Sequence, residues 1–237
     1  NSPATWMRLA LIGYGKMGHA LAALAIERGH EVCTIVRGEE NHEGAALTSD
    51  RLGGAEVALE FTRPESASAN LMRMARLGLP TVSGTTGWSA SLPAIEREVN
   101  ANGGALLHSP NFSVGVHLFL RAAAELARQF RGRDFDGFIL EQHHAAKRDA
   151  PSGTALQLQA AVSAADPDRP FPISSVRAGV SPGTHLLAYD SPFEVIRLEH
   201  TARSRQSFAA GALLAAEWLQ GRKGVYTFDE MLFGAER

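Results

Sequence analysis

The sequence predicts an α/β chain of two domains: a parallel-sheet domain first, then an α+β domain with an open mixed sheet, and a C-terminal helix that returns to the first. Three observations lead there. Short apolar strands alternate with helices from Arg8 to Phe130. The first of those strands runs straight into Gly13-Tyr14-Gly15-Lys16-Met17-Gly18. From Asp136 the strands lengthen and are no longer regularly interleaved with helices, as in a mixed sheet with a helix on one face. The boundaries this suggests are residues 7–112 with 205–237 for the first domain and 113–204 for the second.

In the first domain, Arg8–Ile12 is a strand, Ala20–Arg28 a helix stopped by Gly29, and Val32–Val36 the next strand. The glycines between them form a G-x-G-x-x-G in the setting that gives the motif meaning. The first glycine makes the turn, the second lets backbone approach a pyrophosphate, and the third lets the helix sit close to the strand. The domain is therefore Rossmann-like and binds a dinucleotide. An NAD-specific site usually carries Asp or Glu at the end of the second strand, where this chain has Val36-Arg37-Gly38. Arg37 suits a 2′-phosphate and favours NADPH over NADH. The alternative is a solvent-facing Arg37, with Glu39 or Glu40 serving the ribose.

Asn41–Gly54 is polar and glycine-bearing, a short crossover or loop. Val57–Phe61 is the third strand, Pro64–Leu77 a helix with proline in its first turn, and Pro80–Ser83 the fourth strand. That strand opens into Gly84-Thr85-Thr86-Gly87. After the helix Ser91–Asn102, the fifth strand Ala105–His108 opens into Ser109-Pro110-Asn111-Phe112-Ser113. Loops at the C-terminal ends of parallel strands are where ligands sit in such sheets. Thr85 and Thr86 fit a ribose or nicotinamide, Asn111 has the groups for a carboxamide, and Phe112 offers a ring; ordinary turns are the alternative. Val114–Phe130 is a long amphipathic helix leading out of the domain.

The second domain has strands Gly137–Glu141, Ile173–Arg177, Thr184–Tyr189 and Phe193–Thr201, a helix Ser152–Ala164, and a proline-rich loop Asp166–Pro172. Arg205–Gly221 is an alanine-rich helix whose Phe208, Leu213, Leu214 and Trp218 need an apolar face. Tyr226–Phe233 is a short closing segment.

With 237 residues and 45% hydrophobic content the chain can bury a substantial core. A net charge of −2 gives no electrostatic footprint for nucleic acid or an anionic membrane. No run of 18 or more apolar residues is present to span a bilayer, and no signal peptide is visible, which points to the cytoplasm. Asn1–Trp6, ahead of Met7, has the look of a leftover or frayed lead. The single cysteine, Cys33, sits in an apolar strand pattern as a core residue rather than a nucleophile. His108, His117, His185 and His200 lack metal-ligand spacing, so no metal is expected, and they read as satisfied core or interface groups.

Chemistry concentrates in Glu141–Thr154, E-Q-H-H-A-A-K-R-D-A-P-S-G-T. A strand end, a charged turn and a helix start follow one another, and N–H groups in a helix's first turn are a ready anion site. Asp149 or Ser152 can cap the helix, with Pro151 in its first turn. His143, His144 and Lys147 add positive or proton-donating groups. The two histidines can line one pocket only where the strand breaks into loop, because neighbours on a strand point to opposite faces. A solvated turn has the same composition.

Taken together, G-Y-G-K-M-G, the G-T-T-G at Gly84–Gly87, the S-P-N-F-S at Ser109–Ser113 and E-x-H-H-x-x-K-x-D-A-P-S-G-T-A at Glu141–Ala155 resemble the dihydrodipicolinate reductase family. Arg177-Ala178-Gly179, Gly183-Thr184-His185 and the segment Phe208–Leu219 agree with it. The resemblance covers nearly the whole chain after Met7. It implies reduction of an imine-bearing cyclic dicarboxylate, 4-hydroxy-tetrahydrodipicolinate, by NADPH or NADH in the diaminopimelate and lysine pathway. It implies His143 as proton donor and Lys147 as second catalytic cation, with His144, Gly153 and Thr154 on the substrate. Gly13, Tyr14, Gly15, Lys16, Met17, Gly84, Thr85, Thr86, Ser109, Pro110, Asn111 and Phe112 match cofactor-binding stretches. A homotetramer formed through the second domain is implied as well. The chain departs from the family in a glycine turn that is often one residue longer, in Val36-Arg37 where many members are acidic, and in a short segment between the second and third strands. Other readings are a different dicarboxylate or amino-acid dehydrogenase of the same plan, or a nucleotide sensor without chemistry.

Overall fold

The computed structural model describes residues 6–204 and 206–234. Most of the lead Asn1–Trp6, and Arg205 at the expected start of the last long helix, lie outside the described residues. In chain order the elements are β1 (Arg8–Ile12), α1 (Lys16–Glu27), β2 (Glu31–Val36), α2 (Ser49–Leu52), β3 (Val57–Glu60), α3 (Pro64–Arg76), β4 (Thr81–Ser83), α4 (Leu92–Ala101), β5 (Ala105–His108) and α5 (Val114–Phe130). There follow β6 (Asp136–His143), α6 (Gly153–Ala165), β7 (Ile173–Arg177), β8 (Thr184–Asp190), β9 (Val195–Thr201), α7 (Gln206–Leu219), β10 (Gly224–Thr227) and α8 (Phe228–Phe233). They form two compact units. One runs to Phe112 and resumes at Phe208; the other is Ser113–Ser207.

The first unit holds a six-stranded sheet in the order β10-β5-β4-β3-β1-β2, every pairing parallel. Burial on both faces explains why Leu9–Ile12 of β1 and Val57–Leu59 of β3 are continuously apolar rather than alternating: every residue of β3 is buried. The order reverses direction at β1, with β2 on one side and β3 on the other, and this switch point is where open parallel sheets bind ligands. Helix α1 starts at Lys16, four residues earlier than the periodicity predicts, so Lys16, Met17 and Gly18 belong to its first turn. The closing segment also differs from expectation. Gly224–Thr227 pairs with β5 as a sixth strand, and Thr227 then caps α8 in a reciprocal box with Glu230.

The second unit holds a four-stranded mixed sheet, β7-β6-β8-β9, with β7 parallel to β6 and the other pairings antiparallel. Phe119, Ala123 and Ala127 of α5 and Leu158 and Val162 of α6 pack with Ile139, Leu187 and Tyr189 of the sheet. Strand alternation in β6 turns Gly137, Ile139, Glu141 and His143 inward and leaves Leu140 38% exposed on the other side. The polar end of this inward row organises the candidate site.

Candidate active site

In the first unit, the loops after β1, β2 and β3 surround a cleft of about 760 Å³, lined by Gly13, Tyr14, Gly15, Arg37, Asn41, Thr62 and their neighbours. Gly13 has φ +93°, and a Cβ there would lie 2.2 Å from the Phe61 carbonyl oxygen, so only glycine makes this turn. A Cβ on Gly18 would come within 2.4 Å of the Gly13 oxygen, which is how closely α1 sits on the turn. By contrast nothing lies within 4 Å of a Cβ on Gly15. That residue is the N-cap of α1, with no side-chain cap and no acidic residue in the first turn. An open glycine and uncapped N–H groups at a switch point fit a dinucleotide's pyrophosphate.

Arg37 is exposed, with its guanidinium carbon 5.3 Å from the centre of the Tyr14 ring. Glu40, one of the two alternatives for a ribose, is already engaged: it accepts from the Arg37 backbone N–H at 2.8 Å and pairs with Arg51 at 2.8 Å. Of the other cofactor-side residues, Lys16, Thr86 and Pro110 are exposed and Met17, Gly84 and Thr85 are half-buried. Ser109 and Asn111 are buried and tied together, the Ser109 hydroxyl donating to the Asn111 carbonyl at 2.5 Å. Phe112 departs from the expectation of a ring offered to ligand: it is buried, with its centroid 5.0 Å from Phe228 and 5.8 Å from Phe61. Cys33 is half-buried, donates to the Leu9 carbonyl at 3.4 Å, and is pushed up by burial, as befits an inert core thiol.

In the second unit, β6 ends on His143 and α6 begins at Gly153. His143 is the last inward residue of its strand, and His144 starts the loop, its N–H donating to the Ser181 carbonyl at 2.8 Å. The strand runs two residues further than predicted, so the break falls between the two histidines. Ser152, not Asp149, is the N-cap; its hydroxyl accepts from the Ala155 N–H at 3.2 Å. Pro151 precedes the cap instead of lying in the first turn. The N–H groups of Gly153 and Thr154 therefore have no partner within the helix, and the first turn carries no acidic residue.

Glu141 is the hub. Its fully buried carboxylate accepts from both terminal nitrogens of Arg177, at 2.6 and 3.0 Å, from the Ser152 N–H at 3.3 Å, and from Nδ1 of His143. Burial alone would raise this carboxyl; hydrogen bonds from Arg177, Ser175 and His143 outweigh it and hold the group down to about 2. Parallel pairing explains the Arg177 fork, because β7 places Arg177 beside His143. For His143, burial lowers the pKa, Glu141 pulls it up, and Lys147 and Arg177 add to the lowering. With Nδ1 on Glu141, the other ring nitrogen faces Gly183, where a Cβ would stand 2.7 Å from Nε2. Lys147 is not a free cation. It grips both oxygens of Asp149, at 2.7 and 2.8 Å, and Asp149 is 59% exposed.

Residues 7–112 match the family model described as dihydrodipicolinate reductase, N-terminus, and residues 115–232 the model described as dihydrodipicolinate reductase, C-terminus. The chain belongs to the dihydrodipicolinate reductase family. The 4-hydroxy-tetrahydrodipicolinate reductase of Christiangramia forsetii is 34% identical over 240 residues, covering 95% of this chain and 98% of that one. The enzyme of the same name from Methanopyrus kandleri is 37% identical over 201 residues, 77% and 73% of the two chains. In structure, the dipicolinate-bound dihydrodipicolinate reductase from Paenisporosarcina sp. TG-14 aligns with a TM-score of 0.78 at 22% identity, covering 97% of this chain and 100% of that one, which shows a shared fold. As a member of this reductase family, the chain is an NAD(P)H-dependent oxidoreductase, and the family uses NADH or NADPH.

Reading the sequence of this dihydrodipicolinate reductase family member singled out His143, His144 and Lys147 but missed three residues. Glu141 looked like a strand residue, Arg177 lies thirty-six positions from its partner, and His185 looked like core. His185 instead meets Ser152 Oγ at 3.0 Å through Nε2 and stands edge-on to His143, ring centroids 5.2 Å apart. Burial first, then the neighbouring His143, push it down to about 4. Its Nδ1 is buried without a hydrogen-bond partner among the described residues, so it is not the satisfied core histidine expected. Ligand atoms of Glu141, His143 and His185 fall within 4.8 Å of one another, a grouping that linear spacing did not reveal. Both oxygens of Glu141 are engaged by Arg177, whose guanidinium balances the carboxylate's charge.

Proposed function

We propose that this reductase converts 4-hydroxy-tetrahydrodipicolinate to tetrahydrodipicolinate with NADPH or NADH, in the diaminopimelate and lysine pathway, and that Glu141–Thr154 holds the substrate and supplies its proton. The C4 hydroxyl and a hydrogen of the ring carbon next to the C=N bond leave together as water, and the C=C bond so formed conjugates ring C4 with the C=N bond. The reduced nicotinamide, when bound, supplies a hydride for C4. Charge then gathers at the far end of the conjugated system, and His143 gives a proton there.

The chain's own groups explain why His143 suits the task. Burial makes its proton easy to give up, while the Glu141 carboxylate opposes that lowering and holds Nδ1, leaving Nε2 as the donating atom. A dianionic substrate favours the charged imidazole further. One ring carboxylate takes the N–H groups of Gly153 and Thr154 together with the Thr154 hydroxyl. The other takes Lys147, which exchanges Asp149 for it, with His144 alongside. In the first unit Gly13 through Met17 receive the pyrophosphate, Arg37 takes the 2′-phosphate of NADPH, and the loops Gly84–Thr86 and Ser109–Phe112 hold the nicotinamide half. The residues 7–112 with 205–237 thus form the nucleotide domain, and 113–204 the substrate and assembly domain. Leu140 and Val176, both more than a third exposed on the uncovered side of the second sheet, support a homotetramer built on that face. Its substrate is a small dicarboxylate rather than nucleic acid or membrane, and it works in the cytoplasm.

The observation that carries this reading is the Arg177–Glu141–His143 chain ending beside a helix start whose Gly153 and Thr154 N–H groups have no partner within the helix. The test follows oxidation of the reduced nucleotide with 4-hydroxy-tetrahydrodipicolinate. His143→Ala lowers kcat by about 10²–10⁴-fold, the usual worth of a general acid, and leaves nucleotide affinity unchanged. Wild-type turnover in that variant retires His143 from the role.

A further inference from the structure

Glu60 ends β3 as a fully buried carboxyl after three buried apolar residues. Among the described residues no ion pair is drawn to it. Its partners are hydroxyls: Ser83 donates to Oε2 at 2.7 Å, Thr85 to Oε1 at 3.1 Å, and Thr62 to the same oxygen. Burial raises this carboxyl above its ordinary value, and those hydroxyls only partly offset it. An apolar side chain would continue the strand at far lower desolvation cost, so the core gains nothing from a carboxyl here.

The partners explain its presence. Ser83 ends β4, Thr62 lies in the loop after β3, and Thr85 belongs to the Gly84–Gly87 turn. The Thr85 hydroxyl also accepts from the Thr62 N–H at 2.8 Å, closing a triangle between two loops and a strand end. From Thr62 the network continues: Asn70, buried in α3, donates to the Thr62 hydroxyl at 3.4 Å, and Asn41 donates to Asn70 at 2.8 Å. Asn41 in turn accepts from the Ala46 N–H at 3.2 Å, which anchors the segment after β2. Thr62 and Asn41 both line the cleft at the switch point.

We infer that Glu60 is a positioning residue for the nicotinamide nucleotide, fixing the spacing of the loops after β2, β3 and β4 through one hydrogen-bonded network. The inference rests on nucleotide binding by the first unit but on no assignment in the second. A network confined to hydroxyls, amides and one carboxyl holds loop geometry without placing charge in the cleft, so it serves NADH and NADPH alike.

Glu60→Gln, Glu60→Leu and Ser83→Ala test it. The readouts are the equilibrium Kd for NADPH and for NADH by nucleotide fluorescence, KM for the dicarboxylate, and the apo melting temperature. Ser83 is itself buried, and its hydroxyl donates to Glu60, so Ser83→Ala removes one bond of the network while keeping the backbone. Glu60→Gln keeps the shape and the oxygen that takes Thr62 and Thr85, while the Ser83 hydroxyl turns to accept from its amide, and it holds both Kd values within about threefold of wild type. Glu60→Leu raises both about tenfold or more, and Ser83→Ala raises both about threefold, while the dicarboxylate KM stays within about twofold; these sizes correspond to one or two neutral hydrogen bonds. A folded Glu60→Leu with wild-type Kd overturns the inference. Where that variant does not fold, Ser83→Ala with unchanged Kd does the same. A Gln variant as weak as Leu also overturns it, because charge rather than loop spacing would then matter. Wild type that binds neither nucleotide removes the nucleotide reading itself.

Discussion

Replacing Glu141 with glutamine keeps the shape of the hub and removes its charge. The magnitude follows from the carboxyl's position at about 2, against 4.5 for an unperturbed group. Holding it there contributes about 3 kcal/mol of stability at neutral pH. For a depressed carboxyl that stability is fully present above 4.5 and fades as pH falls through about 2. The variant also strands Arg177, whose side chain is only 17% exposed, and unpairing a buried charge costs about 3–5 kcal/mol. The two costs describe one broken interaction, so the expected loss at neutral pH is about 3–5 kcal/mol rather than their sum. Urea unfolding followed by far-UV circular dichroism, stepped from neutral pH down to about 2, measures it. All three tryptophans, Trp6, Trp88 and Trp218, lie in the first unit, so their emission does not report on this site. The gap between wild type and variant should narrow as acid protonates the native carboxyl and nearly close at the lowest pH. A gap of constant size across the range, or none at neutral pH, refutes the account of Glu141 as a charged hub.

The other predictions concern binding. Lys147→Ala raises KM for the dicarboxylate about 10–100-fold, the loss of one charge-assisted hydrogen bond, as initial rates will show. Asp149→Asn releases Lys147 from an exposed pair worth at most about 1 kcal/mol, so the same assay should find KM lowered by up to about fivefold; a raised KM would mean that Asp149 itself serves the substrate. Arg37→Ala raises KM for NADPH about tenfold or more and leaves NADH nearly unchanged. Equal effects on both nucleotides would remove Arg37 from cofactor choice.

The parallel sheet was legible because its signals are local. Apolar runs, a glycine turn and a helix follow in fixed order between Arg8 and Val36, and nothing distant is needed to interpret them. The sixth strand was not, because Gly224–Thr227 is short and half-buried and only its pairing with β5 makes it a strand. The same contrast runs through the site. His143, His144 and Lys147 sit in one short segment, and their chemistry shows in their spacing. Arg177 reaches Glu141 only because β7 lies parallel to β6, a register that composition does not encode. Glu60 is harder still: a glutamate closing a strand looks solvated until Ser83 and Thr85 arrive from other elements. One sequence signal was available, since Glu60 follows three apolar residues and precedes Phe61, an unusual place to leave a bare charge.

Gly183 bears on what the site admits. A methyl group at that position would press against the imidazole nitrogen that points away from Glu141. The residue therefore acts by having no side chain: any larger residue would crowd the nitrogen that the proposed proton transfer uses. The freedom of the imidazole is thus set by a residue that contributes no functional group.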